Sequence, residues 1–211
     1  MASLAIRCCL RARRLQDLSK IEVAGDSGNS AAMACAVARG RPRIIPLTDA
    51  AGFRMTGTIE KKLASIGVTL PTPASPIANY VPFVRSGNML VVSGQICFGG
   101  DGKLVAKGQL GGAVSIEDGQ KAARACAINL LAHLKAALGD LDKVSRVVRL
   151  GGFINSAAGF VDGPKVMNGA SDLMVEVFGD RGRHARTTVG VSALPGDAAV
   201  EVEGIFEVAS T

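Results

Sequence analysis

Near the C-terminus an arginine and two glutamates are spaced as strand residues able to hold a small organic acid. In the run Ala185 to Val191, alternation puts Arg186, Thr188 and Gly190 on one face and Ala185, Thr187, Val189 and Val191 on the other. In the returning strand of the same expected hairpin, Glu201 and Glu203 share a face opposite Val200 and Val202. A guanidinium is a planar fork that matches a carboxylate bidentately, so an arginine fixed on a strand is a ready anchor for an α-acid. The residue types fit two readings. Arg186 and a glutamate face one pocket, or they form a cross-strand ion pair at the rim of a sheet, the commoner arrangement.

Other chemistry is poorly supplied. The five cysteines, at 8, 9, 35, 97 and 126, have no metal-ligand spacing, and only His133 and His184 could join them. The expectation is therefore no metal, with Cys97 and Cys126 as small buried apolar residues. His184 stands two residues before Arg186, but a lone histidine at a strand start more often serves structure.

The elements that position these residues are legible from Met55 onward. Residues 58 to 66 place Ile59, Leu63 and Ile66 at helical spacing, and Gly67 suits the stop. Pro71, Pro73 and Pro76 then force an extended loop ending at Tyr80. Two strands, 81–86 and 89–97, are joined at Gly87-Asn88. Ser115 opens a long helix, with Asp118 placed to complete a capping box, Ala123, Cys126, Leu130, Leu134 and Leu138 on its buried face, and Gly139 at its end. A β-rich run over 144–154 precedes a second helix, with Pro164 in its first turn and Gly179 as its stop. Strands over 185–192 and 198–208 flank the turn Leu194-Pro195-Gly196-Asp197. The expected order is β-β-(β)-α-β-α-β-β: an α+β fold with two helices on one face of a mixed sheet. No helix remains for the other face, so self-association is the natural cover.

Composition narrows the function classes. The net charge of +6 suggests nucleic acid until its distribution is read. Residues 1–54 hold nine of the 24 Lys/Arg and four of the 18 Asp/Glu, leaving 15 basic and 14 acidic residues in 55–211, a nearly neutral domain. With one Tyr, seven Phe and no Trp it also lacks stacking platforms, so neither nucleic acid nor membrane is an expected partner. The first 16 residues carry Arg7, Arg11, Arg13 and Arg14 with no acidic residue among Leu4, Ile6, Leu10 and Leu15. That composition fits a mitochondrial transit peptide and a matrix location; the competing reading is a basic tail or an upstream stretch before a true start at Met55, with a cytoplasmic protein. Residues 22–54 read as a linker or processed segment, so the division is an N-terminal extension over 1–54 and one domain over 55–211.

Two strings give the domain a resemblance. HARTTVGVSALPGDAAVEVEGIFEV (184–208) resembles the C-terminal signature of the RidA family, formerly YjgF, with Arg186, Leu194-Pro195 and Glu201 at the family's spacing. SPIANYVPFVRSGNMLVVSGQICF (75–98) resembles its N-terminal stretch through Tyr80, Gly87-Asn88 and Ser93-Gly94-Gln95, and Asn168 falls where the family has an Asn in its second helix. The resemblance implies a chorismate-mutase-like trimer with an active site in each cleft between subunits. It implies hydrolysis of 2-aminoacrylate-type enamines and imines to 2-keto acids and ammonia, with no cofactor. Carried over residue by residue, it assigns Arg186 to the substrate carboxylate and Glu201 to the attacking water. Tyr80 and Ser93 complete the hydrogen bonding, and Gly94, Thr188 and Asn168 contact the ligand. The same cleft would also serve a carboxylate-binding or chaperone-like trimer without turnover, and the family has carried an endoribonuclease label. Ala78-Asn79 before the Tyr, the glycine-rich loop from Gly108 to Gly112 and Thr188 depart from the common pattern, and the longer loop resembles a less studied branch.

Overall fold

The computed structural model describes residues 57–73 and 79–210. The N-terminal extension, with the targeting signal expected there, and Met55 lie outside them, as does Ala78. Helix α1 (Thr58–Ser65) buries Ile59 and Leu63, and Gly67 follows at φ 72°. Asp142 holds its start, taking the N–H groups of Thr58 at 2.9 Å and Ile59 at 3.1 Å. These are donors that a helix N-terminus otherwise leaves unpaired.

Strands β1 (Phe83–Ser86) and β2 (Met89–Ile96) form the expected antiparallel hairpin, with Gly87 at φ 60°. Between Ile96 and the next helix the parenthesised third strand does not form. Among the described residues that stretch makes only isolated bridges, such as Phe98 with Leu104 and Lys107 with Ala198. Its glycines and tight turns leave no run long enough to sustain a ladder.

Helix α2 (Ile116–Leu138) begins where Ser115 Oγ accepts the Asp118 N–H at 3.1 Å and ends at Gly139 with φ 72°. The capping box is modified: the Asp118 carboxylate, one methylene shorter than a glutamate, takes the Ser115 hydroxyl at 3.0 Å and Lys121 at 2.8 Å. The expected stripe is buried, but so are Ala122, Ala125, Leu131 and Ala132. The wider burial arises because α3 (Gly163–Phe178) packs against α2 as well as against the sheet. Gly169 permits that approach, since a Cβ there would fall 2.0 Å from the Gln120 carbonyl oxygen.

Strand β3 (Val144–Asn155) is followed by α3, then β4 (Ala185–Val191) and β5 (Val200–Val208). The sheet order is β1-β2-β5-β3-β4, with β3 and β4 parallel and the other pairs antiparallel. The expected C-terminal hairpin is therefore absent: β3 lies between β4 and β5. A β3-α3-β4 crossover places β4 parallel beside β3 at the sheet's edge, and β5 takes β3's other side. The 192–199 connection passes the end of β3, where Ser156 N–H donates to Val191 O at 3.2 Å and Asn155 N–H to Ala199 O at 3.0 Å.

Alternation along β5 is regular, with Val200, Val202, Gly204, Phe206 and Val208 buried beneath the helices and Glu201, Glu203, Ile205 and Glu207 on the opposite face. Full burial of such side chains contributes roughly 1.5–3 kcal/mol each. The opposite face also carries Val84, Val91, Phe153 and Val189, and no described element of the chain covers it.

Candidate active site

Sheet register decides which predicted residues meet. Arg186 sits opposite Leu150, which is buried on the helix side, and Thr188 sits opposite Gly152, whose Cβ would strike Met167 of α3. Glu201 sits opposite Phe153 on the uncovered face, as does Val189. Within one chain Arg186 and Glu201 thus point to opposite sides of the sheet. This corrects the expectation of one pocket shared inside the C-terminal strands, and it removes the cross-strand ion pair too.

Around Arg186 the helix side is built for a guanidinium. Arg186 Nη1 donates to Asn168 Oδ1 at 3.0 Å and Ser171 Oγ at 3.1 Å, and Nη2 donates to the Pro164 carbonyl at 3.2 Å. Three acceptors, all from α3, fix the group at the exposed edge strand. Of its five donors, Nε–H and one Nη2 hydrogen have no partner among the described residues. Asn168, expected to touch ligand, accepts from the arginine through its Oδ1. Thr188 Oγ1 is buried with no hydrogen-bond partner, and a Cβ on Gly163 would lie 3.2 Å from its methyl.

Ser171 and His184 were not among the expected site residues. His184 Nε2 lies 3.0 Å from Ser171 Oγ and Nδ1 lies 2.6 Å from Gly182 O, so His184 reaches Arg186 through one hydroxyl. Burial, with Arg186 nearby, lowers its pKa below the usual histidine value. The sequence offered only the proximity of His184 to Arg186; Ser171 is brought in by the fold.

The second half-site lies on the uncovered face. The β2–β5 register shifts between Val92 and Gln95, a bulge that holds Ser93 and Gly94. Such bulges re-aim side chains next to functional sites. The Glu201 carboxylate rests on Gly94, where a Cβ would lie 2.0 Å from Oε1. Neither Glu201 oxygen takes a hydrogen bond from the described residues, and its pKa is raised, first by burial and second by Glu203. Glu203 is itself paired with Arg149 at 3.3 Å, so that cation is already engaged. Ser93 Oγ donates to Val81 O at 2.9 Å, tying the bulge to the chain just after Tyr80. Tyr80 is 55% exposed, and its hydroxyl has no partner among the described residues.

Cys97 and Cys126 are buried as expected, with Sγ directed to Ala106 O at 3.3 Å and Val200 O at 3.4 Å. A separate cavity of about 450 Å³, lined by Pro71, Pro73, Gln95, Phe98, Asn129 and His133, includes none of the predicted catalytic or substrate-binding residues. No helix among the described residues is long and apolar enough to cross a membrane.

Comparison with known proteins agrees with this architecture. Residues 60–206 match the family described as "YjgF/chorismate_mutase-like, putative endoribonuclease". The chain is 48% identical over 153 residues to Protein TCP17 of Trypanosoma cruzi, covering 72% of this chain and 95% of that protein. It is similar to the solved structure of Atu1372, a protein of unknown function from Agrobacterium tumefaciens, at 47% identity and a TM-score of 0.67, covering 72% of this chain and 92% of that one. A "putative endoribonuclease" from Shewanella oneidensis is 35% identical with a TM-score of 0.69, covering 72% and 99%. With the mixed five-stranded sheet, its two packed helices and a family match across nearly all of the described domain, the chain belongs to the YjgF/chorismate-mutase-like family.

Proposed function

We propose that this protein hydrolyses reactive 2-aminoacrylate-type enamines and their imine tautomers to 2-keto acids and ammonia, at a site that two protomers of a homotrimer complete together. One observation carries the reading. Among the described residues, Arg186 is braced at the sheet edge with two donors unpaired, while Glu201 stands half-buried and unpaired on a sheet face that no described element covers. Each half lacks what the other supplies. A second copy laid with its uncovered face against the β4 edge would bring the two halves to one ligand and bury Val84, Val91 and Val189.

The chemistry follows from the residue types. Arg186 clamps the substrate carboxylate through its unpaired donors, with the Thr188 backbone beside it. Glu201 of the adjacent protomer holds a water against the imine carbon and takes its proton as the C–O bond forms. Its raised pKa makes it a better base than an exposed glutamate. Gly94 allows the close approach, and Ser93 and Tyr80 complete the hydrogen bonds to water and nitrogen. Glu201 returns that proton to the nitrogen, and the tetrahedral adduct then expels ammonia as its hydroxyl proton also passes to the nitrogen and the C–N bond breaks, leaving the keto acid. An imine carbon is electrophilic without assistance, so positioning and water activation suffice.

A coupled assay tests this. A serine or threonine dehydratase generates the imine, and keto-acid appearance is followed with and without the protein. Acceleration that Arg186→Ala reduces at least about a hundredfold supports the reading. No acceleration, or an undiminished Arg186→Ala, rejects it; tight keto-acid binding without acceleration would instead mark a carboxylate-binding trimer. Endoribonuclease, the word carried by the family and by the Shewanella relative, is the weaker reading because residues 55–211 are nearly neutral.

A further inference from the structure

We infer that Ser171 and His184 form a directed hydrogen-bond chain whose task is to hold Arg186 in the orientation that presents its unpaired donors to a carboxylate. The inference rests on the proposed role of Arg186 and names two positioning residues for it, neither of which touches the ligand.

The directions follow from which atoms can donate. An arginine N–H only donates, so at 3.1 Å Ser171 Oγ must accept from Arg186 Nη1. A carbonyl only accepts, so at 2.6 Å His184 Nδ1 must carry the proton given to Gly182 O. In neutral His184 the lone pair is then on Nε2, 3.0 Å from Ser171 Oγ, and it takes the one proton that hydroxyl has. The chain runs Arg186 to Ser171 to His184 to Gly182, with every donor matched to an acceptor and no freedom to reverse. A serine hydroxyl alone rotates. Here its proton is drawn to His184, so its lone pairs stay turned toward the guanidinium. Asn168 Oδ1 takes the other Nη1 hydrogen at 3.0 Å, and the two acceptors together set the plane of the group.

The geometry also explains why a histidine stands two residues before the arginine. His184 enters β4 from the Gly179–Gly182 turn that follows α3, and Ser171 lies on α3 itself. The chain thus ties the helix, the turn and the strand start to one guanidinium. A bulky apolar residue in place of Ser171 would leave Arg186 with one Nη1 hydrogen unmatched, and one in place of His184 would leave the Ser171 hydroxyl free to rotate.

Two measurements on the full chain test this. Long-range proton–nitrogen NMR of the unmodified protein at neutral pH should show His184 as the neutral Nδ1–H form; the Nε2–H form would overturn the chain of donors. Binding of 2-oxobutanoate is then compared by calorimetry in the parent, Ser171→Ala, Ser171→Thr and His184→Phe. Ser171→Ala should bind about tenfold more weakly, the loss of one hydrogen bond on a charged group, His184→Phe should weaken binding by a smaller factor because Ser171 still accepts from Arg186, and Ser171→Thr should stay close to the parent. Parent-like binding by folded Ser171→Ala removes the positioning role and leaves the carboxylate reading intact. A parent protein that binds no 2-oxobutanoate, with Arg186→Ala no different, removes the carboxylate reading itself and the positioning role with it.

Discussion

Gly94→Ala separates the proposed chemistry from the fold. A Cβ at this position would lie 2.0 Å from Glu201 Oε1 and 2.9 Å from Cδ, whereas ordinary contact begins near 3.4 Å. The carboxylate must therefore retreat by more than about 1 Å, a misplacement that costs roughly 10²-fold when the group positions a reactant. The strand itself need not move, because the obstructing atoms end a flexible side chain, and Gly94 does not have the positive φ that would strain an alanine. An alanine also restricts the unfolded chain, so stability should stay within about 1 kcal/mol of the parent. The assay pairs dehydratase-coupled keto-acid formation with urea denaturation. Expected is a kcat lowered about a hundredfold in a protein with an unchanged unfolding midpoint. A variant with the parent's kcat would refute the assignment of Glu201 to the water.

Asn168→Ala removes one of Arg186's three acceptors without touching Glu201, and should raise KM about tenfold with a smaller effect on kcat. An equal fall in kcat at constant KM would place Asn168 in the chemistry instead. Gly169→Ala drives a Cβ to 2.0 Å from the Gln120 backbone oxygen, which cannot rotate away, so urea denaturation should show a loss of about 3 kcal/mol. His133 and His184 both have pKa values held below the usual 6.5 by burial. The unfolded chain therefore binds protons first as pH falls, and stability should drop from about pH 6.5 downward. A urea midpoint that is flat between pH 7.5 and 5.5 would contradict that sign.

Much of the fold was legible because its signals are local. Ser115 and Gly139 bracket α2, Pro164 and Gly179 bracket α3, and Gly87 turns the first hairpin. What escaped was non-local. Alternation assigns faces within one strand, but the relative faces of Arg186 and Glu201 depend on a shared neighbour, β3, set between them by the crossover. Two strands joined by Leu-Pro-Gly-Asp read as a hairpin, and nothing in that turn announces that its flanks stand one strand apart. The bulge at Ser93-Gly94 was likewise invisible, although Gly94 itself was named. Ser171 had no signal at all, since a lone serine on a helix face is ordinary until the fold brings Arg186 and His184 to it.

The central claim is that Arg186 and Glu201 of different chains make one site, and mixing two dead variants tests it directly. Arg186→Ala and Glu201→Gln are each purified, unfolded together and refolded in equal amounts. If each site takes its arginine from one protomer and its glutamate from the next, random assembly should restore about a quarter of the parent's sites and a matching share of its activity. If the mixture stays as inactive as its components while the parent carried through the same refolding recovers, the two residues do not meet across protomers and the account is wrong.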